Sequence, residues 1–475
     1  MPILSQVDIK PLQPERFDRV LSHESYSIFV EAMGKARSVF RGRRVWNVNS
    51  TGKGGGVAEM LTSLIAYAQG IGVDARWVVI AGNPDFFEIT KRIHNHLHGA
   101  EGDKGTLGEE QRSIYEEALA PNEEELLRLI DGEDVVILHD PQTAGLARGL
   151  VDKGIKVIWR CHVGLDTPND IARGAWDFLR GYVSPAHRYV FSRRAFVWEK
   201  LAGEKLVVIP PSIDAFSPKN QDMPGSAVEA ILVATGLMQG EASREAVFTE
   251  VHGGQGWVKR PTEMYGAGPF SANDRLVVQV SRWDRLKDPL GVMKGFVDHI
   301  APVTDAHLVL AGPSVAAVSD DPEGKQVLDE VRAAWSRLDD EVAGRIHLAC
   351  LPMDDGQENA AIVNALQRKA TVIVQKSLAE GFGLTVAEGM FKSKPVVASR
   401  IGGIQDQIED GVSGMLIDDA GDLEAYGMAV GRLLADPALI ETMGTAARAR
   451  VLDRFLGPRH LTQYLEVCTE LLNEG

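Results

Sequence analysis

The chain has 475 residues, of which 44% are hydrophobic and 24% are charged. These values are ordinary for a globular protein, and the length allows two or three domains with separate cores. The formal net charge of -16 is not offset by a basic segment, which excludes DNA and other polyanions as expected partners.

The sequence also bears on location. The first six residues lack a basic region followed by an apolar run, so we expect no secretory signal. No stretch approaches the ~20 apolar residues of a membrane span, so no membrane partner is expected. Cys161, Cys350 and Cys468 are widely spaced, show no metal-ligand pattern and fit a reducing compartment. We therefore expect a cytoplasmic protein.

The first half of the chain contains six short apolar runs, most of them followed by a helical pattern. After the first run, a glycine turn leads into a helical period over residues 57–69. The predicted strands are residues 44–49, 75–80, 134–138, 156–160, 188–191 and 206–209. Continuous apolar strands that alternate with helices are typical of a parallel sheet covered on both faces.

A stiff, turn-rich segment at residues 210–214 predicts a domain boundary. Beyond it, residues 227–236 have a helical pattern, and the glycine-rich residues 240–270 suggest a long insertion or flap. A second series of strands then follows at residues 276–280, 307–310, 345–348, 371–375, 395–398 and 415–417. The tail from 423 to 473 is predicted to be helical, with a break near 455–458.

The predicted fold class is therefore α/β, with two doubly wound, Rossmann-like domains and a cleft between them. Sheets of this kind bind ligands at the carboxyl ends of their strands. We place the amino-terminal domain at residues 1–214 and the second domain at residues 215–455. We expect residues 456–475 to form a helix that packs back on the first domain.

The stretch from Glu380 to Glu388 is the most informative motif. It follows a predicted strand and opens a helix, and its glycines at 381 and 383 let the backbone approach a ligand. A helix N-terminus favours a phosphate, whereas the two acids suit hydroxyl groups as hydrogen-bond acceptors. Phosphate beside hydroxyls indicates a nucleotide sugar.

Two further segments are candidate ligand contacts, the first of them a ligand-facing glycine loop. Gly54, Gly55 and Gly56 follow the first strand; one tight turn needs a glycine anyway, yet three exceed that need. Arg282 and Lys287 follow the first strand of the second half, where they could neutralise a diphosphate. A surface charge cluster is the alternative for this pair.

In the first half, Asp140 and His162 come just past strand ends and could bind sugar hydroxyls. A satisfied structural histidine is the alternative for His162. No Asp-x-Asp motif occurs, so a metal-chelated diphosphate is not expected, and we predict no metal site. A Gly-x-Ser-x-Gly hydrolase elbow is also absent.

Together these motifs resemble the retaining nucleotide-sugar glycosyltransferases of family 4, which have the GT-B fold. Glu380 and Glu388 match the E-x7-E pair of that family, and Arg282 and Lys287 match its diphosphate-binding pair. Within it, the chain is most similar to trehalose glycosyltransferring synthases and the related retaining trehalose phosphorylases. The segments that carry this likeness are 45–60, 139–142, 159–162, 209–214 and 375–388. Residues 1–40 and 240–270 fit the pattern least, and no role is assigned to them.

The resemblance implies a reversible, retaining transfer of glucose from a nucleoside-diphosphate glucose to glucose, which gives α,α-trehalose. The alternative is a phosphorylase that converts trehalose and phosphate to glucose and α-glucose 1-phosphate; fungal-type phosphorylases are longer, which favours the synthase. A non-catalytic sugar-nucleotide sensor is an alternative from another class. The donor base (ADP-, UDP- or GDP-glucose), the physiological direction and the existence of a homodimer stay open.

The resemblance also implies roles for individual residues. Glu388 would hold the ribose hydroxyls, Glu380 a hydroxyl of the transferred glucose, and His162 the donor sugar near its 6-hydroxyl. Arg282 and Lys287 would stabilise the leaving diphosphate in a front-face transfer without a carboxylate nucleophile, a metal or a cofactor. The implied donor-binding set is Gly54, Gly55, Gly56, Gly381, Phe382, Gly383, Leu384 and Glu388. The implied acceptor-binding set, in the first domain, is Asp140 and Gln142.

Overall fold

The protein divides into two compact units, and the computed structural model describes residues 3–241, 245–315 and 322–474. Unit 1 comprises Met1–Ser212 and Phe455–Gly475, and unit 2 comprises Ile213–Arg454. The chain thus leaves unit 1 after Ser212 and returns to it at Phe455. No helix in the described residues is long and apolar enough to cross a bilayer.

Within the described residues, unit 1 is built on a seven-stranded sheet. Its strands are β1 (Ser5–Gln6), β2 (Arg44–Asn49), β3 (Asp74–Val79), β4 (Val135–His139), β5 (Lys156–Cys161), β6 (Arg188–Phe191) and β7 (Leu206–Val208). They lie in the order β1-β3-β2-β4-β5-β6-β7. All neighbours are parallel except β1, which pairs antiparallel with β3.

In its described part, unit 2 contains a second seven-stranded sheet and a separate hairpin. The strands are β8 (Val247–Thr249), β9 (Gln255–Trp257), β10 (Glu263–Gly266), β11 (Leu276–Val280), β12 (His307–Pro313), β13 (Ile346–Leu351), β14 (Val372–Gln375), β15 (Val396–Ser399) and β16 (Met415–Ile417). The order in the large sheet is β10-β13-β12-β11-β14-β15-β16, with only β10 antiparallel to its neighbour among these strands. Strands β8 and β9 form the hairpin.

Helices alternate with these strands. They are α1 (His23–Val39), α2 (Gly55–Ile71), α3 (Pro84–Leu97), α4 (Glu109–Leu129), α5 (Asp140–Thr143), α6 (Ala147–Asp152), α7 (Asp170–Val183), α8 (Gly225–Ala234), α9 (Pro289–Gly295), α10 (Pro322–Trp335), α11 (Asp340–Ala343), α12 (Gly356–Lys369), α13 (Leu384–Phe391), α14 (Ile404–Gln407), α15 (Leu423–Ala435), α16 (Pro437–Arg454) and α17 (Gly457–Asn473). A 3-10 turn, Arg285–Lys287, precedes α9.

Local sequence explains where several helices begin. Asn83 and Asn169 cap α3 and α7, since their side-chain oxygens accept the amide hydrogens of Phe86 and Ala172 at 2.8 and 2.9 Å. Such caps satisfy amides that have no partner inside the helix. Proline at the first position of α3 suits that end, because its missing N–H costs nothing there. These caps fix where each helix leaves the sheet edge.

Each unit has its own hydrophobic core. In unit 1 the core includes the buried tryptophans 46, 159, 176 and 198, which lie between the sheet and helices such as α7. In unit 2 it includes aliphatic residues of β11, β12 and β14 together with Phe296 and Tyr426. Helix α17 packs against α1 and α2, so the carboxyl-terminal segment completes the covering of unit 1.

The α/β fold class predicted from the sequence is confirmed, and every predicted strand matches an observed strand within a few residues. The interpretation of residues 240–270 as an insertion or flap is wrong in one respect. Its described part contains β10, which pairs with β13 and belongs to the main sheet of unit 2. Residues 242–244 of that segment lie outside the described residues.

Candidate functional site

In unit 1 the predicted site residues lie at the carboxyl edge of three adjacent strands. The glycine loop 54–56 follows β2, Asp140 follows β4, and His162 follows β5. Because β2, β4 and β5 are parallel neighbours, their carboxyl ends meet at one edge of the sheet.

Asp140 and His162 form a tight hydrogen-bonded pair. One carboxylate oxygen, Oδ1, accepts the backbone N–H of His162 at 2.8 Å, and Oδ2 lies 3.0 Å from His162 Nδ1. Asp140 has a φ of +64°, a left-handed conformation that is strained for most residues but tolerated by Asp and Asn. In this conformation both carboxylate oxygens of Asp140 contact His162.

Burial and these contacts set the charges of the pair. Burial lowers the pKa of His162, which keeps the imidazole neutral. Burial alone would raise the pKa of Asp140, yet its contacts with His162 prevail and lower that pKa to about 2. The carboxylate is therefore ionised. It orients the imidazole by accepting a hydrogen bond from Nδ1–H.

Because Nδ1 carries the proton, the other ring nitrogen of His162, Nε2, is an acceptor with a free lone pair. His162 Nε2 is buried without a hydrogen-bond partner, and so is Nδ1 of His139, whose ring stacks on that of His162 with centroids 5.5 Å apart. His139 Nε2 lies 3.1 Å from Asn47 Oδ1. Gln142 adds a third orphaned atom, its Oε1. Unpartnered buried polar atoms are costly, so these three atoms are candidate contacts for a polar ligand.

The glycine loop is open. Gly54 and Gly55 have φ of +73° and +75°, and a Cβ at either position would meet nothing within 4 Å. Glycine is therefore required here by backbone conformation and not by crowding. Helix α2 begins at Gly55, so its exposed first turn presents unpaired amides at the same sheet edge as Asp140.

In unit 2 the loops after β11 and β14 are joined to each other. The Leu378 amide donates to Leu286 O at 2.7 Å, and Lys287 Nζ donates to Glu380 Oε2 at 2.6 Å. The side chains of Lys287 and Glu380 are only 16% and 12% exposed, so this ion pair is more than a surface contact. The structure thus brings these two predicted residues together.

Arg282 lies in the same loop but not in that pair. Its guanidinium is 66% exposed and donates to Asp284 Oδ2 at 2.7 Å. Asp284 in turn accepts the Leu286 amide at 2.8 Å and so shapes the 3-10 turn that carries Lys287. An exposed arginine can reorient toward an anion at low cost, whereas Lys287 is held in position.

The turn between Glu380 and α13 is shaped by the loop after β15. Gly403 N donates to Gly381 O at 2.9 Å, and Gln407 Nε2 donates to Phe382 O at 2.5 Å. Gly383 is left-handed with a φ of +82°. The carbonyls of Gly381 and Phe382 point toward residues 403–407. Helix α13 begins at Leu384 without a side-chain cap, so the amides of its first turn are available to an anion.

Glu388 lies inside this helix and is 2% exposed. Lys219 Nζ lies 3.7 Å from its Oε1, and Gln367 Nε2 lies 3.5 Å from its Oε2. A buried carboxylate needs such partners, and the weakness of both contacts leaves acceptor capacity for a diol.

Sequence reasoning missed several residues at these edges. His460 of α17 hydrogen-bonds Ser212 through Nδ1 at 2.9 Å, and burial, followed by the charge of Arg459, lowers its pKa well below the usual value. It lies 321 residues beyond His139 in the chain, and no local pattern marks it. Lys376, fully buried and paired with Asp288, was also missed, although a lysine directly after a buried strand is itself a signal.

The sequence and the fold of this chain are matched by known proteins. The family model "Trehalose synthase, N-terminal domain" matches residues 47–198, and "Glycosyl transferases group 1" matches residues 266–450. A sucrose-phosphate synthase structure from Thermosynechococcus elongatus aligns with a TM-score of 0.63 at 17% identity, over 91% of this chain and 100% of that one. The protein is a glycosyltransferase of the GT-B fold.

A trehalose synthase of Pyrococcus horikoshii is 33% identical over 459 residues, which cover 96% of both chains. This chain belongs to the trehalose synthase family. A trehalose phosphorylase of Grifola frondosa is 26% identical over 85% of this chain but only 54% of its own length.

Proposed function

We propose that the protein transfers glucose reversibly, and with retention, from a nucleoside-diphosphate glucose to glucose, giving α,α-trehalose and the nucleoside diphosphate. The observation that carries the proposal is the 33% identity with a trehalose synthase over 96% of both chains. The two residue groups described above support it, since one suits an anion with adjacent hydroxyls and the other suits a sugar.

In unit 2, Lys287 and Arg282 act on the diphosphate. When the bond between the anomeric carbon and the phosphate oxygen breaks, negative charge develops on that oxygen, and a fixed cation stabilises it. Lys287 is already held in its loop by Glu380. The first turn of α13 adds amides and a partial positive charge, while Glu380 and Glu388 accept hydrogen bonds from glucose and ribose hydroxyls.

In unit 1, Asp140 holds the neutral imidazole of His162 so that Nε2 accepts a hydrogen bond from a hydroxyl of the donor sugar. Gln142 and Asp140 contribute to acceptor binding. The acceptor hydroxyl attacks the anomeric carbon from the face that the diphosphate leaves, and the departing phosphate oxygen takes its proton. The new glycosidic bond therefore keeps the α configuration without a metal or a cofactor.

The test uses the purified full-length protein with glucose and, separately, ADP-, UDP- and GDP-glucose, and measures trehalose by chromatography. Trehalose and a stoichiometric nucleoside diphosphate are expected with at least one donor. A parallel incubation holds trehalose and inorganic phosphate without nucleotide. Glucose 1-phosphate released there, with no product from the nucleotide sugars, would identify a phosphorylase. Tight nucleotide-sugar binding without turnover in either arm would identify a sensor.

The proposed location is the cytoplasm. Cys161, Cys350 and Cys468 are free and buried, and burial raises the pKa of Cys350 and Cys468 to about 12. Thiols of this kind stay protonated and unreactive, as expected for structural residues in a reducing compartment.

A further inference from the structure

Three metal-ligating side chains meet at the amino edge of the unit 2 sheet, opposite the edge that carries Lys287 and Glu380. Asp274 precedes β11, His307 is the first residue of β12, and His347 is the second residue of β13. Their ligand atoms all lie within 4.8 Å of one another. None of the three has a part in the reaction proposed above.

The sheet register explains why the two imidazoles share one face. Val309 of β12 pairs with His347 of β13, and paired residues of parallel neighbours point to the same side of a sheet. His307 is two residues before Val309 and therefore points to that side too. The two ring planes are within 15° of each other with centroids 5.3 Å apart, and the rings meet edge to edge, with His307 Nδ1 3.0 Å from His347 Nε2.

A backbone carbonyl fixes the tautomer of His347. Its Nδ1 lies 2.6 Å from Gly268 O, so Nδ1 carries the proton and Nε2 presents a lone pair to the cluster. A second hydrogen bond from the far nitrogen is the usual way in which metal-binding histidines are oriented. His347 is 2% exposed, so this orientation is held firmly.

Asp274 supplies the anionic ligand. Its Oδ2 lies 3.5 Å from His307 Nδ1 and also accepts the Ser271 amide at 2.7 Å. Asp274 and His307 are 20% and 19% exposed, which gives an ion access from solvent. The neighbouring charges are those of Arg345 and Asp305, which oppose each other in their effect on His307.

We propose that Asp274, His307 and His347 bind one divalent transition-metal ion, with zinc as the preferred ion and water as the fourth ligand. Ligand atoms about 2.0–2.1 Å from a tetrahedral zinc are about 3.3 Å apart, close to the 3.0 and 3.5 Å separations observed here. Two imidazoles and a carboxylate are ligands that zinc takes readily. The ion replaces the proton that otherwise lies between His307 Nδ1 and His347 Nε2.

Such an ion would connect the amino-terminal ends of three strands of the unit 2 sheet. It joins the starts of β11, β12 and β13 through three ligands that are 33 and 40 residues apart in the chain. The sequence prediction of no metal site rested on the absence of an Asp-x-Asp motif and of a metal-ligand pattern among the cysteines. The sheet brings these three ligands together from distant positions in the chain. The proposed role is structural stabilisation of unit 2.

The test uses untagged, full-length protein treated with a chelator and titrated with Zn²⁺ by calorimetry, together with thermal unfolding with and without the ion. One equivalent is expected to bind and to raise Tm. Asp274→Asn and His307→Ala should each weaken this binding about tenfold or more and abolish the rise in Tm. Asparagine at 274 can still accept the Ser271 amide, so that variant tests the ligand with the local fold kept.

The matched control is His94→Ala in α3 of unit 1, because His94 and His98 form another pair of adjacent imidazoles with centroids 5.0 Å apart. The control should bind zinc as the unsubstituted protein does. Cobalt(II) in place of zinc should give visible absorption bands of a four- or five-coordinate site, lost in Asp274→Asn. The proposal is overturned if no ion binds, if Asp274→Asn and His307→Ala bind it unchanged, or if His94→Ala removes it.

Discussion

At the scale of single residues, the ion pair between Lys287 and Glu380 is the main feature of the unit 2 edge. Both side chains are largely buried, and their charged atoms are 2.6 Å apart. A bound diphosphate offers Lys287 a second anion, while Glu380 retains acceptor capacity for a sugar hydroxyl. The pair therefore prevents an isolated buried charge when the donor is absent.

We expect Lys287→Ala to lower kcat by about 10²–10³, because the leaving phosphate oxygen loses a fixed cation. Unpaired Glu380 would also repel the diphosphate, so Lys287→Ala/Glu380→Gln should bind the donor better than Lys287→Ala alone. The measurement is steady-state kinetics of trehalose formation. Lys294→Ala is the control, since Lys294 is a 66% exposed lysine in the adjacent helix α9. Equal losses in Lys287→Ala and Lys294→Ala would contradict the assignment.

Glu380 allows a test between front-face transfer and a double displacement through a covalent intermediate. If the transfer occurs on one face, Glu380→Ala should turn over far more slowly yet form no covalent intermediate, because Glu380 binds a hydroxyl and does not attack the anomeric carbon. Intact-protein mass spectrometry after incubation with the preferred nucleoside-diphosphate glucose, without acceptor, should give the unmodified mass. An added hexosyl mass, in this variant or in the unsubstituted protein, would establish a double displacement instead.

At the scale of elements, the loop between β15 and α14 holds the donor turn in shape. Gly402 is buried with a φ of +47°, and a Cβ there would lie 1.8 Å from Glu380 O. Side chains rarely adopt this conformation, and no backbone oxygen can yield by so much. Glycine at 402 is therefore what allows the Glu380 turn to pack against its neighbour.

Gly402→Ala should lower the free energy of unfolding by more than about 2 kcal/mol and reduce trehalose formation in the protein that remains folded. Urea unfolding and kinetics measure the two effects. Gly431→Ala in α15 is the control, because a Cβ at 431 would meet nothing within 4 Å. That change should raise stability by about 0.5–1 kcal/mol and leave turnover unchanged. A neutral Gly402→Ala would mean that the turn is not constrained as described.

Elements also differ in how far the sequence predicts them. Central parallel strands such as β11 and β14 are continuous apolar runs, because both faces of the sheet are covered, and such runs are recognisable locally. Strand β10 reads Glu-Met-Tyr-Gly and is only partly buried, so it carries no such run, although it pairs with β13. An edge strand of this kind is recognised by its hydrogen bonds to the neighbouring strand. Its own sequence does not show which strand that is.

The candidate site follows the same rule. The turn from Glu380 to Glu388 is one continuous segment of the chain, and so is the Gly54–Gly56 loop. The chemistry of each can therefore be predicted from its own residues. The contact between His460 and Ser212 joins residues 248 positions apart, and that between His307 and His347 joins residues 40 positions apart. Such pairs are set by sheet order and helix packing, so the sequence alone does not predict them.

At the scale of the whole molecule, buried neutral histidines make stability depend on pH. His460 is fully buried, its Nδ1 is hydrogen-bonded to Ser212, and burial followed by the charge of Arg459 lowers its pKa well below the usual value. The folded state therefore resists protonation, whereas the unfolded chain takes up a proton below about pH 6.5. Its contribution to stability is full above pH 6.5 and is lost as the pH falls below that value.

We expect His460→Asn to reduce the loss of stability between pH 7.5 and pH 5.5 by about 1.4 kcal/mol, one pH unit's worth of linkage below the unfolded pKa. Asparagine can replace the bond to Ser212, which limits other damage. The measurement is urea unfolding of each protein at both pH values. His252→Gln, at an exposed histidine in unit 2, should leave the pH dependence unchanged. If His460→Asn and the unsubstituted protein lose equal stability on acidification, His460 is not the buried neutral group described.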